Sequence, residues 1–196
     1  ESPEVIKEGK PDPGSRWARF FAEMPPPYQG GIEKEGVEAL QDFVAQGGIL
    51  VCLNKAGRLA LQEFKQLHAG NVLEKVERSK FFCPTSLLKV NVDNKSPIGY
   101  GMPGEAAVVF SESPAFSTRI PSGEWGRQVV ASYPKENILL SGWLLGEHLI
   151  TRKPALVDVK YKKGHIILIG FRCQHRAQSH GTYKFLLNAL LYPEID

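Results

Sequence analysis

Beyond residue 32 the hydrophobic and polar positions divide the chain into short helices and buried strands. Val37, Leu40 and Val44 recur at helical spacing and predict an amphipathic helix over 34–46. Gly47-Gly48 stops it, as glycine commonly does just past a helix end. Residues 49–53 (Ile-Leu-Val-Cys-Leu) are wholly apolar, the pattern of a parallel strand buried on both faces. Residues 54–57 make a turn, and Leu61, Phe64 and Leu67 mark a second helix at about 57–68. Helix, buried strand, tight turn and helix together form an α/β layered unit.

The middle of the chain alternates as half-buried strands do, at 86–92, 106–110, 129–133 and 138–140. Strands at 155–161 and 165–171 flank Lys162-Lys163-Gly164, which reads as a hairpin turn. A polar loop follows. The last helix is expected to bury Tyr183, Leu186, Leu187 and Leu190. Residues 1–31 read instead as a proline-rich irregular arm, or the tail of an upstream segment, with Trp17, Phe20 and Phe21 available for packing. The α/β domain itself is assigned to 32–196.

Composition narrows the function classes. With 42% hydrophobic and 23% charged residues, the chain has the balance of a soluble globular domain. Its net charge of +3 is spread without a basic stripe, so no nucleic-acid partner is expected. No apolar run approaches the ~18 residues of a membrane helix, and residues 1–13 carry no signal-peptide pattern. Cys52, Cys83 and Cys173 form neither a disulfide framework nor a Cys-x-x-Cys pair. No metal site is expected.

Three segments could carry chemistry. Cys52 lies near the end of a buried strand, where a nucleophile elbow would sit. Its neighbours Val51 and Leu53 place it in the strand, and the turn offers Asn54 but no Ser or Cys. The second segment, residues 170–182, follows a strand and precedes a helix, the position α/β folds use for sites. It offers Arg172, Gln174, His175, Arg176, Gln178 and His180 as contacts, with His175 a candidate base. Its bland role is to cap the next helix and satisfy buried backbone groups. Trp143, in Leu-Leu-Ser-Gly-Trp-Leu-Leu-Gly, reads as core packing at a chain reversal or as a pocket wall. A small-ligand domain would place an apolar pocket near Trp143 and the His175 loop.

The strand, Gly170-Phe171-Arg172-Cys173-Gln174-His175 and the helix Lys184-Phe185-Leu186-Leu187-Asn188-Ala189-Leu190 resemble class I glutamine amidotransferase domains. That family carries a Gly-x-Cys-x-Gly elbow, a His-Pro-Glu segment and a late helix of Leu-Leu-x-Asn type. The resemblance implies a flavodoxin-like three-layer α/β sandwich, a mostly parallel sheet and a C-terminal antiparallel hairpin. It places the first strands upstream of Glu1 and His175 at or beside the catalytic histidine. Arg176-Ala177 stands where Pro-Glu belongs, and Asn54-Lys55-Ala56-Gly57 stands where the elbow belongs. The chain therefore resembles the inactive branch, the ThuA-like and β-galactosidase trimerisation-type domains.

Met24 to Ile32, Phe81 to Leu88, Tyr100-Gly101-Met102-Pro103, Ser141 to Gly146 and Gln174 to Gln178 resemble the C-terminal part of bacterial zinc carboxypeptidase-like proteins. That resemblance implies an exported parent, extracellular or periplasmic, whose zinc sits in a separate peptidase domain. This chain has no His-x-x-Glu, so it holds none of that zinc and needs no cofactor. The expected function is a non-catalytic accessory domain that docks on the peptidase domain, holds a homo-oligomer or binds a ligand. The alternative is a cysteine-dependent hydrolase or amidotransferase using Cys52 and His175.

Overall fold

Val37, Val44 and Leu40 form the inner stripe of helix α2 (Glu33–Ala45). Gly47, at φ 119°, ends it in a conformation open to glycine, and the amide of Gly48 bonds back to the carbonyl of Phe43 at 2.9 Å. The chain passes directly into strand β1 (Ile49–Leu53). One 3-10 turn, Asn54–Ala56, then opens helix α3 (Gly57–Glu63). This helix is shorter than its apolar spacing predicts. Phe64 is already extended, although it and Leu67 still enter the core.

The computed structural model of the chain describes residues 3–9, 25, 27, 29–120 and 126–192. Within the segment expected to be an irregular arm, Pro3–Glu8 forms helix α1. Its Lys7 Nζ donates to Glu63 Oε1 at 2.7 Å, and the Ile32 amide bonds the Ile6 carbonyl at 3.1 Å. Trp17, Phe20 and Phe21 lie outside the described residues.

The remaining strands are β2 (Ala69–Asn71), β3 (Ser86–Val92), β4 (Glu105–Phe110), β5 (Phe116–Thr118), β6 (Arg127–Ser132), β7 (Leu139–Ser141), β8 (Pro154–Tyr161) and β9 (Gly164–Ile169). A seven-stranded sheet runs β1-β9-β8-β6-β3-β4, with β7 added on β3; β2 and β5 pair separately. Helix α4 (Tyr183–Leu191) closes the chain. Helices α2 and α3 cover one face of the sheet and α4 the other. This is the three-layer α/β arrangement that the resemblance implies.

Strand directions differ from the expected mostly parallel sheet. Among the described residues only β1 and β9 pair in parallel; the other pairings of the large sheet are antiparallel. Strands β8 and β9 meet through Lys162-Lys163, with Lys162 at φ 52°, and so short a turn can join only antiparallel neighbours. A side chain at Gly164 would collide with the carbonyls of Val44 and Gly48, so glycine lets this hairpin pass under the end of α2.

The sheet curls until its far edge meets the chain leaving β9. The Arg172 amide bonds the Val109 carbonyl at 3.0 Å, and Ser179 Oγ donates to the Ala107 carbonyl at 3.2 Å. Residues 172–179 thus cover an edge of β4 that would otherwise offer unpaired backbone groups. On α4, Phe185 and Ala189 are buried, while Tyr183 and Leu186 are half-buried. Leu187 and Leu190 are exposed, contrary to expectation, because the covered face is narrower than the leucine pattern.

Candidate functional site

Register and direction bring the carboxyl ends of β1, β9, β6 and β4 to one end of the sheet. Cys52, one residue short of that end, is 5% exposed among Val44, Ala60, Phe64 and Leu168. Burial pushes its thiol up to about 12. Cys173 is pushed up to about 12 in the same way. Cys83 reaches about 11, burial again dominating over the neighbouring Ser86 side chain, which pulls it down. All three thiols are free and protonated near neutrality, a form that neither attacks carbonyls nor binds metal well.

The turn after β1 lies over β4. Asn54, at φ 50°, donates from Nδ2 to the Ser111 carbonyl at 3.3 Å, and its buried Oδ1 has no partner. The neighbouring Lys55 pairs with Glu112. That bond, and then the lysine charge, hold the Glu112 carboxyl below its ordinary range, with Arg172 and Arg78 adding smaller pulls.

The His175 loop is built mainly to hold itself against β4. Amide and carbonyl of His175 exchange bonds with those of Gln178 at 2.6 and 3.0 Å. Between them Arg176 (φ 52°) and Ala177 (φ 59°) are both left-handed, the geometry of a tight hairpin turn that favours Asn-Gly. Thr182 Oγ1 lies 2.6 Å from the Cys173 carbonyl and 2.8 Å from that of Ser179. The guanidinium of Arg172 donates to His175 Nδ1 at 3.0 Å, which leaves the neutral ring's proton on Nε2. Gln174, Arg176, Gln178 and His180 are exposed or partly so, and the ring of His180 leans on Tyr183 at 5.7 Å.

The structure therefore gathers Asn54, Arg172 and His175 at one end of the sheet but leaves Cys52 facing the α2 and α3 layer. Cys52 makes no hydrogen bond to His175. Trp143 is 63% exposed rather than in the core, because Gly142 (φ 103°) turns the chain outward. Ser86 Oγ fixes that turn, accepting from the Trp143 amide at 3.0 Å and donating to its carbonyl at 2.9 Å.

A cleft of about 390 Å³ opens beside β4, and neither Trp143 nor His175 lines it. Phe81, Phe82, Phe110 and Leu73 give it apolar walls; Arg58, Arg78, Asn71, Thr85, Ser111 and Ser113 give it polar groups. Sequence reasoning missed these polar groups. The available signal was Ser111-Glu112-Ser113, a polar triplet directly after a strand, which the curl of the sheet turns into a cleft wall. Also missed was a partly buried network at the opposite end of the sheet. There Asp158 holds His165 Nδ1 at 2.8 Å and accepts from the Tyr192 hydroxyl at 3.0 Å.

No family model matches the chain, and no curated protein matches its sequence. Among solved structures it is similar to a cytoplasmic protein of Salmonella typhimurium, at a TM-score of 0.51 and 13% identity over 82% of this chain. It spans 61% of that protein, and the likeness shows a shared fold alone. It is also similar to a ThuA-like protein of Bacteroides uniformis, at a TM-score of 0.48 and 16% identity, covering 81% of this chain and 63% of that one. The match to a GMP synthase component from Thermoplasma acidophilum, at a TM-score of 0.46 and 16% identity, covers 83% of this chain and 68% of that one. None of these three is a carboxypeptidase.

Proposed function

We propose that this chain is a non-catalytic binding domain, accessory to a larger secreted protein of the zinc carboxypeptidase-like type. One observation carries the first half. The thiol best placed by sequence to be a nucleophile is sealed in the core, raised to about 12, and not bonded to His175. His175 itself is held by Arg172 and by its own loop. The parent, its zinc and its extracellular or periplasmic setting are supported by the resemblance of Phe81 to Leu88 and the other quoted segments. Docking on the peptidase domain and self-association remain parts of this proposal.

The test combines thiol labelling with turnover of ester and glutamine substrates by the folded protein. Cys52 is expected to stay unlabelled at pH 7 to 9, roughly three or more units below its thiol pKa, until denaturant is added. No substrate is expected to be consumed. Selective labelling of Cys52 in the folded state, with turnover lost on Cys52→Ala, would overturn the reading in favour of a cysteine hydrolase.

A further inference from the structure

We infer that the cleft beside β4 binds a small organic carboxylate carrying an aromatic or branched apolar group, an inference that rests on reading the chain as a binding domain. The decisive feature is an excess of donors. Arg58 is half-buried on the cleft wall, and its guanidinium has no hydrogen-bond or ion-pair partner among the described residues. A charge so placed gains most from an anion that completes it. Asn71 has its oxygen occupied by the amides of Leu73 (3.1 Å) and Ala115 (3.3 Å), which leaves its amide NH2 as the group to offer. Ser113 Oγ accepts from the Ser111 amide at 3.0 Å and keeps its proton to donate.

Charge around the site points the same way. Glu112 is the carboxylate that lines the cleft, and Lys55 neutralises it. Arg58 and Arg78 remain, with Arg172 close enough to act on Glu112. The apolar wall sets the rest of the ligand. Half-buried Phe81 and Phe82 supply its rings: Phe81 is backed by buried Phe110, ring centres 5.8 Å apart, and Arg78 stacks 4.4 Å over the ring of Phe82. An inorganic anion would leave these rings unused. An aromatic carboxylate fills them and brings its charge to Arg58. The cleft volume lies in the range of small-ligand pockets.

The experiment is calorimetric titration of the whole chain with phenylacetate, acetate and inorganic phosphate, repeated on Arg58→Gln and Arg78→Gln. Phenylacetate is expected to bind saturably in the millimolar range or tighter, and acetate about tenfold more weakly. Arg58→Gln should weaken phenylacetate about tenfold or more, the value of one charged hydrogen bond, with thermal unfolding unchanged. Arg78→Gln, at an exposed position, should weaken it less and covers the case in which Arg58→Gln fails to fold. Absent binding, phosphate binding tighter than phenylacetate, acetate matching phenylacetate, or full affinity in the folded variants would each overturn the site. Such a failure leaves the non-catalytic reading standing. Substrate turnover in the assay above would sink that reading and leave this titration unaffected.

Discussion

The carboxyl ends of β1 and β4 face the same end of the sheet, yet they have opposite characters. At β1 the chain turns at once into a helix that lies back on the strand, so Cys52 is sealed between sheet and helix. At β4 the chain leaves as Ser111-Glu112-Ser113 into a cleft, with residues 73–85 as the opposite wall and Arg58 of α3 also lining it. A wholly apolar run such as the one through Cys52 announces a strand that packs. A polar triplet after a plainer strand marks the place that stays open. Depth of burial and suitability for chemistry are different properties, and here they separate onto two strands.

Three changes test that contrast. Ile166, fully buried on the α2 and α3 side opposite Leu50, should cost about 2–5 kcal/mol on Ile166→Ala in urea unfolding. Leu73→Ala, on the half-buried cleft wall, should cost clearly less, and equal losses would break the contrast. Cys52→Ser buries a hydroxyl among apolar groups and should cost about 1–3 kcal/mol. It should leave phenylacetate titration unchanged; a binding defect would mean that the two strand ends are one site.

The hairpin turn gives a gain instead of a loss. Ala177 is held at a φ that disfavours side chains, so Ala177→Gly should stabilise the fold by about 1 kcal/mol in the same assay. An unchanged or lower unfolding midpoint would show that this turn is not strained. The smallest effect concerns Lys55 and Glu112. A largely exposed pair of this kind is worth at most about 1 kcal/mol after solvent screening. The folded Glu112 carboxyl is depressed below 4.5, so its contribution is complete above that value and disappears as pH falls through the lower folded value. Glu112→Gln should therefore destabilise slightly at pH 7 and not at all in strong acid; a difference that persists in acid would remove the ion pair as its cause.

Much of the fold was legible in the chain. The helix through Val37 and Val44, the strand through Cys52 and the hairpin at Lys162-Lys163 follow from local periodicity and turn chemistry. Short β2 and β5 were not legible, because three residues carry no period. Strand directions misled, since an apolar run looks alike in parallel and antiparallel neighbours buried on both faces. The exposure of Leu187, Leu190 and Trp143 was hidden for a related reason, because an apolar side chain does not announce whether a partner covers it.

The cleft was less legible than the fold. Chain order put the Asn54 turn and the Arg172 to His175 loop each after a strand, and left open whether the two would meet. Arg58, Asn71, Arg78 and Ser111 are scattered over more than fifty positions, and no spacing rule unites them. Sequence by itself determined the layered α/β class and the absence of an elbow glycine or serine around Cys52. Only the tertiary structure decided that the sheet curls, that Cys52 is sealed while Arg58 is left unpaired among the described residues, and that β4 rather than β1 borders the open cleft. Local rules act within a few residues, whereas burial and charge pairing are set by groups that meet only when the whole sheet has closed.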